Sequence, residues 1–326
     1  MKKQTVFVVG AGGMVGATAA QALAIKEVVS EIVLIDVAKE LVAGQAMDIN
    51  HAAAFTRDVH VRVGAYSEIK NDDIVVVTCG LAQKPGQTRL ELLGANAAII
   101  RDVVTKIVNG GRSVYIVMVA NPVDVLTKVA LDVSGLPKGR VFGTGTALDT
   151  ARYRVTLANK LGVSQQEING YILGEHGDSS FPALTGTTVS GVPLTRFPGY
   201  SAELVATIGK DIRDAAYRII EAKRSTYYGI GSVIVKIVEA LMSNTASTLP
   251  VCSLANGEYG LDDVVVGLPS LISHKGVQII EDYPLNPEEF KSLHDSAKII
   301  KEATSSLNVK KPNLKVYRDM PQLAPA

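Results

Sequence analysis

The sequence predicts an α/β protein, a doubly wound parallel sheet followed by a second unit of α+β type. Two observations carry the sheet. Short Val/Ile-rich runs recur through the first half without polar alternation, as strands covered on both faces require. Stretches of helical spacing fall between them, so strand and helix alternate along the chain. A third observation separates the second unit. Beyond about residue 149 the rhythm gives way to a helix, a Gly/Ser/Thr-rich section and longer helices. The 326 residues suit two units, 1–148 and 149–309, with 310–326 as a flexible tail or an arm on a neighbour.

The strand runs are Thr5–Val9, Glu31–Asp36, Val59–Val63, Asp73–Cys79, Val114–Ala120 and Val141–Gly143. Helices are expected at Met14–Lys26, Lys39–Ala54, Leu90–Val108 and Pro122–Val133, where apolar residues recur at helical spacing. In the second half, Thr150–Leu161 reads as a helix and Gly174–Gly199 as short antiparallel strands and loops. Ala202–Met242 reads as a long helical stretch broken near Tyr228–Gly231, and Asn286–Leu307 as a closing helix. The tail carries prolines and no periodicity.

Composition removes several function classes. Lys and Arg total 33 against 32 Asp and Glu, a formal charge of +1 that argues against a nucleic-acid partner. Apolar residues at 47% can bury a sizeable core, which excludes disorder. Two cysteines, Cys79 and Cys252, cannot build a disulfide framework or a zinc ribbon and favour a reducing, cytoplasmic setting. The uncharged stretch Gln4–Ile25 superficially resembles a signal peptide or a membrane span. Its glycines and Gln21 argue against both, so no membrane partner is expected.

Those glycines form the first motif. Thr5–Val9 runs into Gly10-Ala-Gly12-Gly13-Met14-Val15-Gly16 and then a helix. Glycines let the backbone approach a pyrophosphate, and the helix N-terminus supplies amide donors with a positive dipole. The turn is one residue longer than the usual fingerprint, since Gly10-x-Gly12 and Gly13-x-x-Gly16 overlap imperfectly. Asp36 ends the next strand, where a carboxylate accepts from ribose hydroxyls and repels a 2′-phosphate; NAD is favoured over NADP. A plain glycine turn with a surface Asp is the competing reading, and the strand–turn–helix context disfavours it.

Four further motifs follow: Gly80-Leu-Ala-Gln83-Lys-Pro-Gly-Gln-Thr-Arg89, Asn121-Pro-Val-Asp124, Gly143-Thr-Gly-Thr-Ala-Leu-Asp149-Thr-Ala-Arg152 and Gly174-Glu-His176-Gly-Asp178. With these in place the chain resembles the L-lactate and malate dehydrogenase family from residue 5 to about 305. The resemblance implies a Rossmann NAD-binding domain over 1–148, a catalytic domain over 149–309, and an oxidoreductase of L-2-hydroxy acids.

It also implies roles. His176 matches the proton donor and acceptor, and Asp149 the carboxylate that orients it. A group titrating near neutrality suits a hydroxyl proton released with hydride transfer. Arg152, three residues after Asp149, shares its helix face and matches the residue gripping the substrate carboxylate through parallel hydrogen bonds. Arg89 matches the arginine that polarises the carbonyl when the polar loop before it closes, with a solvated loop residue as the bland alternative. Asn121 matches a contact to substrate and nicotinamide ribose. Val15, Tyr66, Gly80, Leu81, Val119 and Thr144 match cofactor-lining positions, as do the turn residues including Met14. Thr226 matches a substrate-pocket position and Ile230 a nicotinamide-facing one, although apolar residues there suit a core equally well. The remaining histidines, His51, His60, His274 and His294, and the cysteine Cys79, read as structural or solvated.

Gln83 bears on the substrate. Malate dehydrogenases of the family carry arginine there, paired with the second carboxylate of oxaloacetate. A neutral amide leaves that charge unpaired at a cost of a few kcal/mol, whereas pyruvate offers only a methyl group. Gln83 and Thr226 therefore favour pyruvate and L-lactate, with malate or another L-2-hydroxy acid as alternatives. A non-catalytic NAD-binding protein is the alternative of another class. Arg154 stands where many bacterial relatives bind fructose 1,6-bisphosphate, but Asn169 replaces their histidine, so weak or absent activation is expected. The family commonly forms tetramers, with dimers also seen.

Overall fold

The computed structural model describes residues 5–56, 59–81 and 89–307, the side chains of Arg89 and Leu90 excepted. The first strand, β1 (Thr5–Val9), is followed by α1 (Met14–Ile25), β2 (Glu31–Ile35), α2 (Lys39–Ala53) and β3 (His60–Val63). Then come β4 (Ile74–Val77), α3 (Arg89–Val108), β5 (Tyr115–Met118), α4 (Val123–Ser134) and β6 (Val141–Gly143). The six strands lie parallel in the order β3-β2-β1-β4-β5-β6. That order reverses between β1 and β4, and the crevice at the carboxyl ends of these strands is where such folds bind ligands.

Alternate residues of each strand feed different cores. Phe7 and Val9 join α3 and α4 on one face, whereas Val6 and Val8 join α1 and α2 on the other. The unbroken Val/Ile runs follow from this double coverage.

In the second half, α5 (Ala147–Leu161) leads to five two-residue strands: β7 (Ile168–Asn169), β8 (Ile172–Leu173), β9 (Phe181–Pro182), β10 (Thr188–Val189) and β11 (Val192–Pro193). Next come α6 (Ala202–Lys223) and α7 (Tyr228–Met242). The break falls earlier than Tyr228–Gly231: α6 ends at Lys223 and is capped by Arg224, whose φ of 68° is left-handed. Gly229 and Gly231 lie inside α7 and serve packing instead. A Cβ on Gly231 would sit 3.1 Å from Thr18 Cγ2 of α1, and one on Gly229 2.7 Å from Leu148 Cδ1. Thus α7 lies directly against α1, carrying a piece of the second half onto the first.

The second half also extends the sheet. An antiparallel meander, β12 (Ser247–Ala255), β13 (Val264–Ser273) and β14 (Gly276–Ile279), joins through Cys252 opposite Gly143 of β6, giving nine strands. The last helix, α8 (Pro287–Ser305), starts at Asn286, whose side chain accepts from Glu289 N while Glu289 reaches back to Asn286 N. This capping box fixes its entry. Buried Leu293, Ala297 and Ile300 attach α8 to the core beside α3 and α4. Among the described residues, no helix is long and apolar enough to cross a membrane.

Candidate active site

The glycine turn is built around close backbone contacts. Gly10 has φ +86° and stands against Cys79, with 2.6 Å from a notional Cβ to its backbone nitrogen. Gly16 faces Gly10 O, which a Cβ would approach to 2.5 Å. Both positions exclude a side chain. Gly13 differs: it is the residue before α1, has φ −76°, and a Cβ there would meet only Gly10 O at an ordinary 3.5 Å. No side chain caps α1, and Gly13 and Met14 are exposed, so its first amides face outward as a phosphate site needs.

Asp36 ties this turn to β2. Its Oδ2 accepts from Gly12 N at 2.8 Å and its Oδ1 from Ala38 N at 2.9 Å. The half-buried carboxylate keeps further acceptor positions suited to ribose hydroxyls. Thr78 Oγ1 donates to Val9 O at 2.9 Å, fixing the start of the turn to the end of β4. These features fit a pyrophosphate and an adenosine ribose, and hence NAD. Tyr66, in a short helical turn after β3, packs on the core; burial raises its phenol well above the ordinary value. Burial likewise raises the Cys79 thiol to about 11, in keeping with a structural cysteine.

Farther along the crevice, Val119 N donates to Val77 O at 2.9 Å and Thr144 N to Met118 O at 2.9 Å, aligning the ends of β4, β5 and β6. Half-buried Val119, Leu148 and Ile230 pack on one core, which brings α7 to the same end of the sheet. Thr226 lies half-buried just before α7. Gly80 and Leu81 are exposed, and Gln83 lies outside the described residues. Arg89 begins α3, with its side chain likewise outside them.

Asn96 was not singled out from sequence, yet it links two predicted segments. It is 1% exposed; its Oδ1 accepts from Leu81 N at 2.7 Å, and its Nδ2 donates to Asn121 O at 3.3 Å. The signal was present, because Asn96 falls on the buried stripe of α3 between Leu93 and Ile100. A buried amide must find partners.

His176, Asp149 and Arg152 meet. Asp149 Oδ2 accepts from His176 Nδ1 at 2.6 Å, and Arg152 Nη1 donates to Asp149 Oδ1 at 2.9 Å. Burial works against the Asp149 charge, but His176 and Arg152 outweigh it and hold the carboxyl below the usual range. An ionised neighbour puts the neutral imidazole's proton on Nδ1 and leaves Nε2 for chemistry. Burial also opposes the imidazolium, yet the charge and hydrogen bond of Asp149 win and His176 titrates above its ordinary value. The backbone is held too. His176 N donates to Asp124 Oδ2 at 2.8 Å, and Glu175 N donates to Ser296 Oγ of α8 at 2.6 Å. Gly174 exchanges backbone bonds with Gly267 of β13, both at 3.0 Å.

The other predicted positions lie apart. The His294 ring bonds Tyr259 O at 3.0 Å, and His274 Nδ1 lies 3.3 Å from Ser243 O. Arg154 turns to the backbone, with Nε donating to Gly170 O at 3.2 Å and its guanidinium over the Tyr171 ring at 5.4 Å. Asn169 is exposed on β7.

Comparison with known proteins agrees with this geometry. Residues 4–143 match the family model of the lactate/malate dehydrogenase NAD binding domain, and residues 146–309 that of its alpha/beta C-terminal domain. The chain is 41% identical over 312 residues to L-lactate dehydrogenase 1 of Clostridium acetobutylicum, covering 94% of this chain and 100% of that one. It is 40% identical over 307 residues to L-lactate dehydrogenase 2 of Lactococcus lactis subsp. lactis, covering 93% and 98%. The ligand-bound crystal structure of minor L-lactate dehydrogenase from Enterococcus mundtii superposes with a TM-score of 0.91 at 39% identity, covering 95% and 100%. With both domain models matched in sequence and the fold shared, the chain belongs to the lactate/malate dehydrogenase family.

Proposed function

We propose that the chain catalyses the reversible reduction of pyruvate to L-lactate with NADH, and that the joining of His176, Asp149 and Arg152 is the observation that carries this reading. When bound, the nicotinamide cofactor supplies or accepts the hydride at the substrate's C2 carbon. His176 Nε2 gives the carbonyl oxygen its proton on reduction and takes it back on oxidation. Asp149 keeps the ring oriented and stabilises its charged form. Arg152 retains donors beyond Nη1 for two parallel bonds to the substrate carboxylate. Arg89 polarises the carbonyl, Asn121 contacts the substrate oxygen and nicotinamide ribose, and Gln83 and Thr226 limit the pocket to a small, singly charged acid.

The relatives named L-lactate dehydrogenases support pyruvate over oxaloacetate, as does the neutral Gln83. We read the protein as cytoplasmic, consistent with two free cysteines. A homotetramer or homodimer is supported by exposed apolar residues on and beside α2, namely Val37, Leu41, Met47 and Phe55, and sedimentation measures it directly. The activity test follows loss of reduced nicotinamide absorbance with pyruvate, then oxaloacetate, for wild type, His176→Asn and Gln83→Arg. Pyruvate turnover in the wild type, its collapse in His176→Asn and a shift toward oxaloacetate in Gln83→Arg are expected. Full turnover in His176→Asn overturns the proton assignment, and unchanged selectivity in Gln83→Arg overturns the pocket assignment.

A further inference from the structure

Asp124 ends the Asn121-Pro-Val-Asp motif but has no part in the mechanism above. It sits in the first turn of α4, is 2% exposed, and Oδ2 accepts the His176 backbone N–H. Its other oxygen, Oδ1, is buried without a hydrogen-bond partner among the described residues, although the Cys252 thiol lies nearby. That thiol is itself fully buried, on β12, and faces Thr127 Oγ1 at 3.7 Å. A buried carboxyl with an orphaned oxygen is costly and calls for a role.

We propose that Asp124 is a positioning residue for proton transfer, anchoring the His176 backbone while placing a second negative charge near its imidazolium, beside that of Asp149. The inference rests on His176 being the proton donor and acceptor. Asp149 reaches the ring from α5 and Asp124 reaches the chain beside it from α4, so two helices clamp one residue from different directions. Among the described residues, the charged and titratable groups that act on Asp124 come from three directions. His176 favours its ionised form, Glu175 opposes it, and Cys252 approaches from β12, while Thr127 of its own helix bonds that thiol. Around His176, Asp149 and Asp124 favour the imidazolium and Arg152 opposes it. Burial raises Asp124 to about 6, so its charge appears as pH approaches the range in which His176 works.

The test is Asp124→Asn, which preserves shape and an acceptor for His176 N while removing the charge. Pyruvate reduction needs protonated His176 and fades as pH rises; lactate oxidation needs neutral His176 and fades as pH falls. Loss of a favourable charge lowers the His176 value, so both limbs of kcat/KM move to lower pH by about one unit. NADH affinity, read by fluorescence, stays unchanged. Lower rates with neither limb displaced mean a merely structural role and overturn the proposal.

A second measurement needs no substitution and covers the case in which the variant does not fold. In the wild-type enzyme with NADH, the His176 imidazole nitrogen resonances should titrate in two steps, a small one as Asp124 ionises and a large one for the ring. A single step overturns the proposal. Wild-type pyruvate reduction, assayed in parallel, tests the underlying activity separately. Its absence would defeat the proton-donor reading while the nitrogen titration still reports the charge coupling.

Discussion

Arg152 Nη1 donates to Asp149 Oδ1 at 2.9 Å, on the opposite oxygen from the one that holds His176. One carboxylate therefore positions both the proton-transferring ring and the guanidinium expected to bind substrate. The Arg152 and Asp149 side chains are each only 12% exposed, so this ion pair is poorly screened by water.

Replacing Asp149 by Asn should disturb both functions together. The amide can stabilise the wrong tautomer of His176 and removes the charge that raises it. Pyruvate turnover is expected to fall on the order of 10² to 10⁴-fold. The alkaline limb of the reduction profile should also move to lower pH. A pH series of initial rates checks this, and a variant with a lower rate but an unmoved limb would show that Asp149 supplies orientation alone.

The turn glycines should differ sharply in tolerance. A Cβ on Gly16 meets backbone, Gly10 O at 2.5 Å and Ala11 Cα at 2.8 Å, and cannot be accommodated by a rotamer change. Gly16→Ala should cost about 1–3 kcal/mol through overpacking and weaken NADH binding. Gly13→Ala, with room and an ordinary φ, should stay within about 0.5 kcal/mol of wild type. Denaturant unfolding of the two variants compares them; equal destabilisation would show that the longer turn is steric in origin.

Asp149 and Asp124 should push acid stability in opposite directions. The folded value of Asp149 is lowered, so its contribution is present above the ordinary carboxylate range and is lost as pH falls through the folded value. Asp124 is raised from 3.8 to about 6; its contribution is present below the lower value and is lost as pH rises through the upper one. Melting temperature in Asp124→Asn relative to wild type should therefore rise between about pH 4 and 6, below the ordinary histidine range. A flat difference across that window would mean that Asp124 does not change protonation there.

The sheet and its helices were legible where one physical pattern dominates. Doubly covered strands need apolar side chains on both faces, so β1 and β4 announce themselves as TVFVV and IVVV. β12 and β13 contain Pro250 and Pro269, which argue against interior strands. These prolines stand directly opposite each other, a register in which neither must donate an N–H to its partner. Gly229 and Gly231 suggested a helix break because glycine weakens helices, but close contact with Leu148 and Thr18 explains them. Similarly, the motifs made His176, Asp149 and Arg152 readable, whereas the partners of Asn96 and Asp124 lie far away in sequence. Asn96 Oδ1 to Leu81 N and Asp124 Oδ2 to His176 N are tertiary contacts that no local spacing displays.

The seam where β6 meets β12 constrains how this chain can be recombined. Cys252 pairs with Gly143, where a Cβ would come within 2.5 Å of Thr127 Oγ1, 2.6 Å of Cys252 Sγ and 2.8 Å of Val123 Cγ2. A chimera spliced between the two matched family segments, after residue 143 and before 146, inherits this junction from two parents. The donor half must bring glycine at 143 and the recipient a slim residue at 252, or the graft opens the shared sheet where the three-stranded meander joins the six parallel strands. Compatibility between exchanged halves thus turns on one backbone-to-sulfur fit at the seam between β6 and β12.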